Sequence, residues 1–314
     1  MFRRLSITTI LIAGFAWAAP RVDNVLEKMT PPDATSMVGA HMEALKATDL
    51  YKKLIAAQKL PQLDQFAEDT GFDPRRDVRE LLFVTTPKGK VLLARGTFRL
   101  NAATLKNVRK TRHGMYDIFG NEGGGFCILD SSLAAAGDIE GIEAALDEWQ
   151  SGTHTGAQKL LARMGPTNDR AQIWGVSTGA ASFLADNIPL TAGGIDFSKI
   201  FRGLDGVWFQ ADLNGGLLAD VHGTTAKEQD AVSLRDAVRG LVGLGRLSVS
   251  PGNQELLRLW DGINAEQTGR SITMKADIAQ DLIEKLVEML SAGRPRDRLD
   301  RVDQSSGLRS PKVL

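Results

Sequence analysis

Two stretches of the chain carry one pattern, and that repetition limits the fold more than any other feature. Glu80 to Arg99, ELLFVTTPKGKVLLARGTFR, sets without gaps against Gly206 to Thr225, GVWFQADLNGGLLADVHGTT. Phe83 then falls on Phe209, Gly89 on Gly215, Val91 on Leu217 and Leu92 on Leu218. Each stretch is two apolar runs joined by a glycine turn, the pattern of a β-hairpin. The flanks repeat as well. TSMVGAHM (Thr35 to Met42) precedes the first hairpin and AQIWGVST (Ala171 to Thr178) the second, with Gly39 and Gly175 in matching places. Shared pattern rather than shared letters carries the likeness, and a unit written twice implies two similar halves.

Helical stretches follow each hairpin, Ala102 to Lys110 and then Ala226 to Leu244. Further strands are expected at Gly114 to Phe119 and Gly125 to Leu129, and in the second half at Asn264 to Gln267 and Ser271 to Ala276. Each half closes on a helix, GDIEGIEAALDEW from Gly137 and ADIAQDLIEKLVEML from Ala276. Asp138 and Asp277 stand where a carboxylate caps the free N–H groups of a first turn. Additional helix over Leu50 to Thr70 is broken at Leu60-Pro61. The order in each half reads β-α-β-β-α-β-β-α. The fold class is therefore α+β: an internal duplication of that unit, with mostly antiparallel sheets and helices packed on one face. The boundaries are a leader over 1–18, a first repeat over 19–156, a second over 157–292 and a tail over 293–314. Ser151 to Gly156 and Gly165 to Asp169 are turn-rich and mark the junction. The tail mixes charges with Pro, Ser and Gly, has little apolar surface to bury, and is expected to be disordered.

The first residues have the layout of an export signal: Arg3 and Arg4, an apolar stretch from Leu5 to Phe15, and Ala16-Trp17-Ala18 as a cleavage site. That stretch is shorter than the ~20 apolar residues a membrane span requires. The expected product is an exported protein, periplasmic or extracellular, with no integral span after cleavage. Lys plus Arg equals Asp plus Glu at 38 each, which argues against nucleic acid as a partner, since that needs clustered positive charge. Cys127 is the only cysteine. No intramolecular disulfide can form, and its apolar setting, Gly125-Phe126-Cys127-Ile128-Leu129, predicts a buried, inert thiol.

Pro32-Asp33-Ala34, Val38-Gly39, Gly71-Phe72-Asp73-Pro74 with Asp77, and Ala94-Arg95-Gly96-Thr97-Phe98 resemble exported bacterial proteins of unknown function. In those, a P-x-D-A opening and a GFDP turn precede a repeated hairpin unit. The resemblance implies the fold and carries over no activity.

Catalytic signatures are few. Gly175-Val176-Ser177-Thr178-Gly179 matches the G-x-S-x-G elbow of serine hydrolases. Ser177 is thus the one candidate nucleophile, but the only histidine after it, His222, falls inside a predicted hairpin strand. No parallel sheet precedes it and no oxyanion segment is evident. Gly175 is better read, with Gly39, as a close-packing position. Gly240-Leu241-Val242-Gly243-Leu244-Gly245 ends a helix, whereas a phosphate loop opens one. His41, His113, His154 and His222 are scattered; His41 with Glu43 makes too few ligands for a metal. No metal and no cofactor are expected.

One surface stands out. Val207, Phe209, Ala211 and Leu213 alternate with Trp208, Gln210 and Asp212, and across the turn Leu217, Ala219 and Val221 alternate with Leu218, Asp220 and His222. A three-residue turn, Asn214-Gly215-Gly216, brings the apolar sets together and gathers Trp208, Gln210, Asp212, Asp220 and His222 into a candidate binding face. A solvated or covered sheet face is the competing reading. The chain is thus expected to be an exported, non-enzymatic binding or structural protein of the cell envelope, with an envelope protein or an apolar small molecule as partner. The alternatives are a serine hydrolase using Ser177 and a carrier of an apolar ligand.

Overall fold

The computed structural model describes residues 23–53, 64, 67, 73–99, 109–121, 123–153, 155–179, 191–192, 195–196 and 203–285. In the first half the strands are β1 (Ser36–His41), β2 (Val78–Thr86), β3 (Gly89–Gly96), β4 (Arg109–His113), β5 (Tyr116–Asn121), β6 (Gly124–Asp130) and β7 (Leu133–Gly137). After β8 (Ile173–Thr178), the two-residue strands β9 (Thr191–Ala192) and β10 (Ile195–Asp196) pair only with each other. The second half adds β11 (Gly206–Asp212), β12 (Gly216–Thr224), β13 (Ile263–Thr268) and β14 (Ser271–Ala279). Helices used below are α1 (Asn24–Lys28), α2 (Met42–Ala47), α3 (Ile139–Ser151), α4 (Gly156–Leu161) and α5 (Glu228–Leu247).

All but β9 and β10 join one antiparallel sheet of twelve strands, in the order β13-β14-β12-β11-β8-β1-β2-β3-β7-β6-β5-β4. The α+β class with a largely antiparallel sheet is as the sequence pattern implied. The two halves meet at β1 and β8, where Ser36 faces Ser177 and Ala40 faces Ile173. Outward from β1 come β2, β3, β7 and β6; outward from β8 come β11, β12, β14 and β13.

That shared order does not extend to the gapless alignment. Phe83 pairs with Leu92, whereas Phe209 pairs with Val221, three residues beyond Leu218. The first hairpin closes tightly, Thr86 on Gly89, and the second through a longer turn. Gly39 and Gly175 both let an aromatic ring lie against the backbone, Trp174 and Phe209 respectively. They do so on opposite faces, because directly paired residues share a face and neighbours along a strand alternate.

Helices cover both faces rather than one. One face carries Met37, Leu82, Val91, Leu93, Ala135 and Trp174, closed by Ile142, Ala145 and Leu146 of α3 together with Leu26 and Leu160. The other carries Val207 and Ile272 beneath Leu234 and Val238 of α5. In the first half that second face also holds Val78, Ala94 and Phe98, with Met42 of α2 against them. Strands with apolar residues on both sides need cover on both. Burying one such Leu or Ile side chain contributes about 1.5–3 kcal/mol, so the sheet is held from two directions. Cys127 is fully buried in the first of these cores, and burial pushes its thiol up to about 11.

Other expectations need correction. Arg109 and Lys110, expected at a helix end, open β4. Asp277 lies inside β14 instead of capping a helix, since Ile272, Met274, Ala276 and Ile278 continue a two-residue alternation that ends only at Ala279. The helix begins after it, and Leu282 is buried. Asp138 does stand at the N-cap of α3, but its carboxylate accepts from Lys90 N at 2.8 Å and so ties the helix to β3. The stretch 102–108, most of 50–70, His154, the leader 1–18 and the tail 293–314 lie outside the described residues.

Candidate functional site

Alternation along β11 and β12 dictates the geometry from which the site is built. Trp208 faces His222, Phe209 faces Val221, Gln210 faces Asp220 and Ala211 faces Ala219. This is the register that the three-residue turn implied; Gly215 and Gly216 adopt φ of +72° and +148° there, which L side chains resist. Trp208, Gln210, Asp212, Asp220 and His222 therefore share the face opposite α5. Pairing extends this face past the hairpin. Gln210 lies beside Trp174, Trp174 beside Gly39, and His41 beside Glu80.

The chain between α4 and β8 crosses that face. A β-carbon on Gly165 would fall 2.6 Å from the Trp208 ring, and Asn168 N donates to Gln210 Oε1 at 2.7 Å. The crossing segment separates two clefts. The larger, about 710 Å³, opens between α2 and residues 167–172 and is lined by Asp23, His41, Glu43, Glu80, Trp174 and Gln210 among others. His41 Nδ1 and Glu80 Oε2 are 2.7 Å apart in it. The smaller, about 340 Å³, lies on the far side and includes Trp208 and His222.

The five residues picked from alternation thus have different fates. Gln210 reaches the larger cleft, while its Nε2 donates to Asp220 Oδ2 at 3.1 Å. Trp208 and His222 stack with ring centroids 3.9 Å apart and line the smaller. Asp212 lines neither of these two clefts. Its side chain is 2% exposed and accepts from Gln172 Nε2 at 3.1 Å, Asn214 N at 3.0 Å and Asn214 Nδ2 at 2.7 Å. Burial alone would push its carboxyl up, but these bonds and the Arg170 charge outweigh it and hold the group below the usual range. Gln172 completes the clasp by accepting from Leu213 N at 2.6 Å. Asp212 is a structural pin of the turn.

Ser177 is not placed as an elbow nucleophile. It lies within β8, paired with Ser36 on one side and Val207 on the other, and is 4% exposed. Register puts it with Val207 and Gly223, on the face opposite His222, although it borders the end of the smaller cleft. An elbow needs a strained strand-to-helix turn that presents the hydroxyl. His41 and Glu43 do line one cleft, but His41 is engaged by Glu80 and Glu43 belongs to α2. Among the described residues no three His, Cys, Asp or Glu side chains are grouped to hold a metal.

Sequence reasoning missed His41, Glu80, Trp174 and Gln172 as members of the candidate face. Trp174 and Gln172 lie on or beside β8, next to the hairpin, and His41 and Glu80 on β1 and β2 beyond it, so only strand order could bring them together. The sole hint was the Gly39 position, which leaves room for an aromatic from a neighbour.

No family model matches the chain, and no curated protein matches it. It is similar in outline to solved structures of TP0453. Crystal form III has a TM-score of 0.48 at 8% identity, covering 86% of this chain and 99% of that one. Form I gives 0.43 at 9% identity and form IV 0.41 at 8%. A likeness this distant says nothing of ligand or activity.

Proposed function

We propose that the chain is an exported, non-catalytic binding or structural component of the cell envelope, and that it takes a polar ligand or partner segment in the larger cleft. The observation that carries this reading is the cleft itself. It opens where β1 and β8 join the two halves, and hydrogen-bonding groups from the N-cap of α1, from β1, α2, β2 and β11, and from residues 167–172 converge there. Pockets with a few convergent polar groups over an apolar base are the usual form of a ligand site. Trp174 supplies that base. Asp23 caps α1 and Glu80 holds His41, which leaves Glu43 and Asp169 as the lining carboxylates open to a ligand. The fitting ligand therefore presents donors: ammonium, amide or hydroxyl groups. The mid-strand setting of Ser177 speaks for binding over hydrolysis. Export rests on the layout of residues 1–18.

Native mass spectrometry of the full chain, purified gently from cells that export it, tests the proposal. A retained mass is expected, lost in Ala44→Trp, which fills the cleft from an exposed helical position. A wild-type protein that retains nothing, or a mass that survives the substitution, contradicts it. Mass consistent with cleavage after Ala18 checks the export part separately.

A further inference from the structure

We propose that the smaller cleft is a second, independent site that binds the oxyanion of a compact polar molecule, a carboxylate or a phosphate. Its floor is a block of paired residues on the open face of the second half. Trp208 stands opposite His222 and His222 opposite Thr273; one step along, Gly206 stands opposite Thr224 and Thr224 opposite Ser271. Gly206 contributes no side chain, so the block has a hollow at that corner. Arg163, arriving from the crossing segment, overhangs it with Nη1 3.8 Å from where a Gly206 β-carbon would be.

The chemistry of the lining is one-sided. Arg163 brings a guanidinium, and no hydrogen bond or ion pair engages it among the described residues. Thr224, Ser271 and Thr273 bring hydroxyls, and His222 an imidazole; no carboxylate lines the cleft. Asp205, next to Gly206 in the chain, is exposed and is not among the lining residues, and two acids beside the block are committed elsewhere. Asp220 accepts from Gln210, and Glu266, opposite Thr273, accepts from Asn264 Nδ2 at 3.2 Å. Thr273 Oγ1 lies 3.2 Å from His222 Nδ1. With the hydroxyl donating, the ring hydrogen sits on Nε2. The Thr273 hydroxyl is then spent on His222, and that of Thr224 leans on Gly206 O at 3.5 Å. A planar fork of N–H donors beside the Ser271 hydroxyl and an imidazole N–H is a set that suits an oxyanion. Burial holds the His222 imidazole below its ordinary pKa, with Asp220 opposing and Lys275 adding, so an anion beside it would show as a rise.

NMR of the full chain reads this directly through the His222 ring resonances. Inorganic phosphate, glucuronate and glucose would be titrated in turn at constant ionic strength. Saturable shifts of His222 and of the Thr224, Ser271 and Thr273 amides are expected with one or both anions, with a raised His222 pKa. Response to phosphate alone assigns a phosphate site, and to glucuronate alone a carboxylate site. Arg163→Gln, at an exposed position, should weaken the effective anion at least about tenfold, the loss expected of a charge-assisted bond. Silence to both anions, an equal response to glucose, or unchanged affinity in Arg163→Gln overturns the proposal.

Discussion

Gly39 lies directly under the indole of Trp174, so close that a β-carbon at position 39 would enter the ring. The two are cross-strand partners at the junction of the halves, and Trp174 is among the largest fully buried side chains. Phe209 covers Gly175 in the same way from the other face. Gly39→Ala and Gly175→Ala are each expected to destabilise the fold by about 1–3 kcal/mol, the range for overpacking a filled core. Gly252→Ala, where open space surrounds the added carbon, should stay within about 0.5 kcal/mol. Urea unfolding of the three variants checks this ranking, and equal midpoints would contradict it.

The Asp212 clasp gives the fold an acid limb. Its folded pKa lies below the unfolded value, about 3.9 for Asp. Stability from such a group is fully present above the unfolded value and is lost as pH falls through the folded one. Asp212→Asn should cost about 1–3 kcal/mol at neutral pH, since buried donors lose a charged acceptor. It should also flatten the fall in stability below about pH 4. Urea midpoints measured from neutral to acid pH for both proteins decide it; parallel acid limbs would remove Asp212 as the cause.

Ser177→Ala is expected to leave folding stability within about 1 kcal/mol, because removing a buried hydroxyl that pairs weakly or not at all is nearly neutral. Labelling by a fluorophosphonate probe should be absent before and after the change. Specific labelling of the wild type that disappears in the variant would restore the hydrolase reading.

The second hairpin was legible because its two alternations are strong and only a three-residue turn keeps them in phase. The first strand of each half was legible through Gly39 and Gly175 as close-packing positions. β7 was missed, since Leu133-Ala134-Ala135-Ala136-Gly137 has no β-branched or aromatic residue to mark a strand. Arg109 to His113 form an edge strand of charged residues, a composition that avoids edge pairing and carries no apolar period. Gly165 to Asp169 read as a boundary because their composition is that of a turn. Their role as a cover depends on Gly165 meeting Trp208 and Asn168 meeting Gln210, contacts between residues some forty positions apart. The division of one polar face into two clefts follows from that cover and could not be seen in either segment alone.

A photo-crosslinking amino acid placed at Ala47 tests most directly whether the larger cleft binds anything. Ala47 is exposed at its rim, while Met115, 68% exposed at the turn between β4 and β5, serves as a remote control. In cells producing the full chain, irradiation should yield a discrete adduct from position 47 and none from position 115. No adduct at 47, or the same adducts from both positions, would contradict a binding role for this cleft.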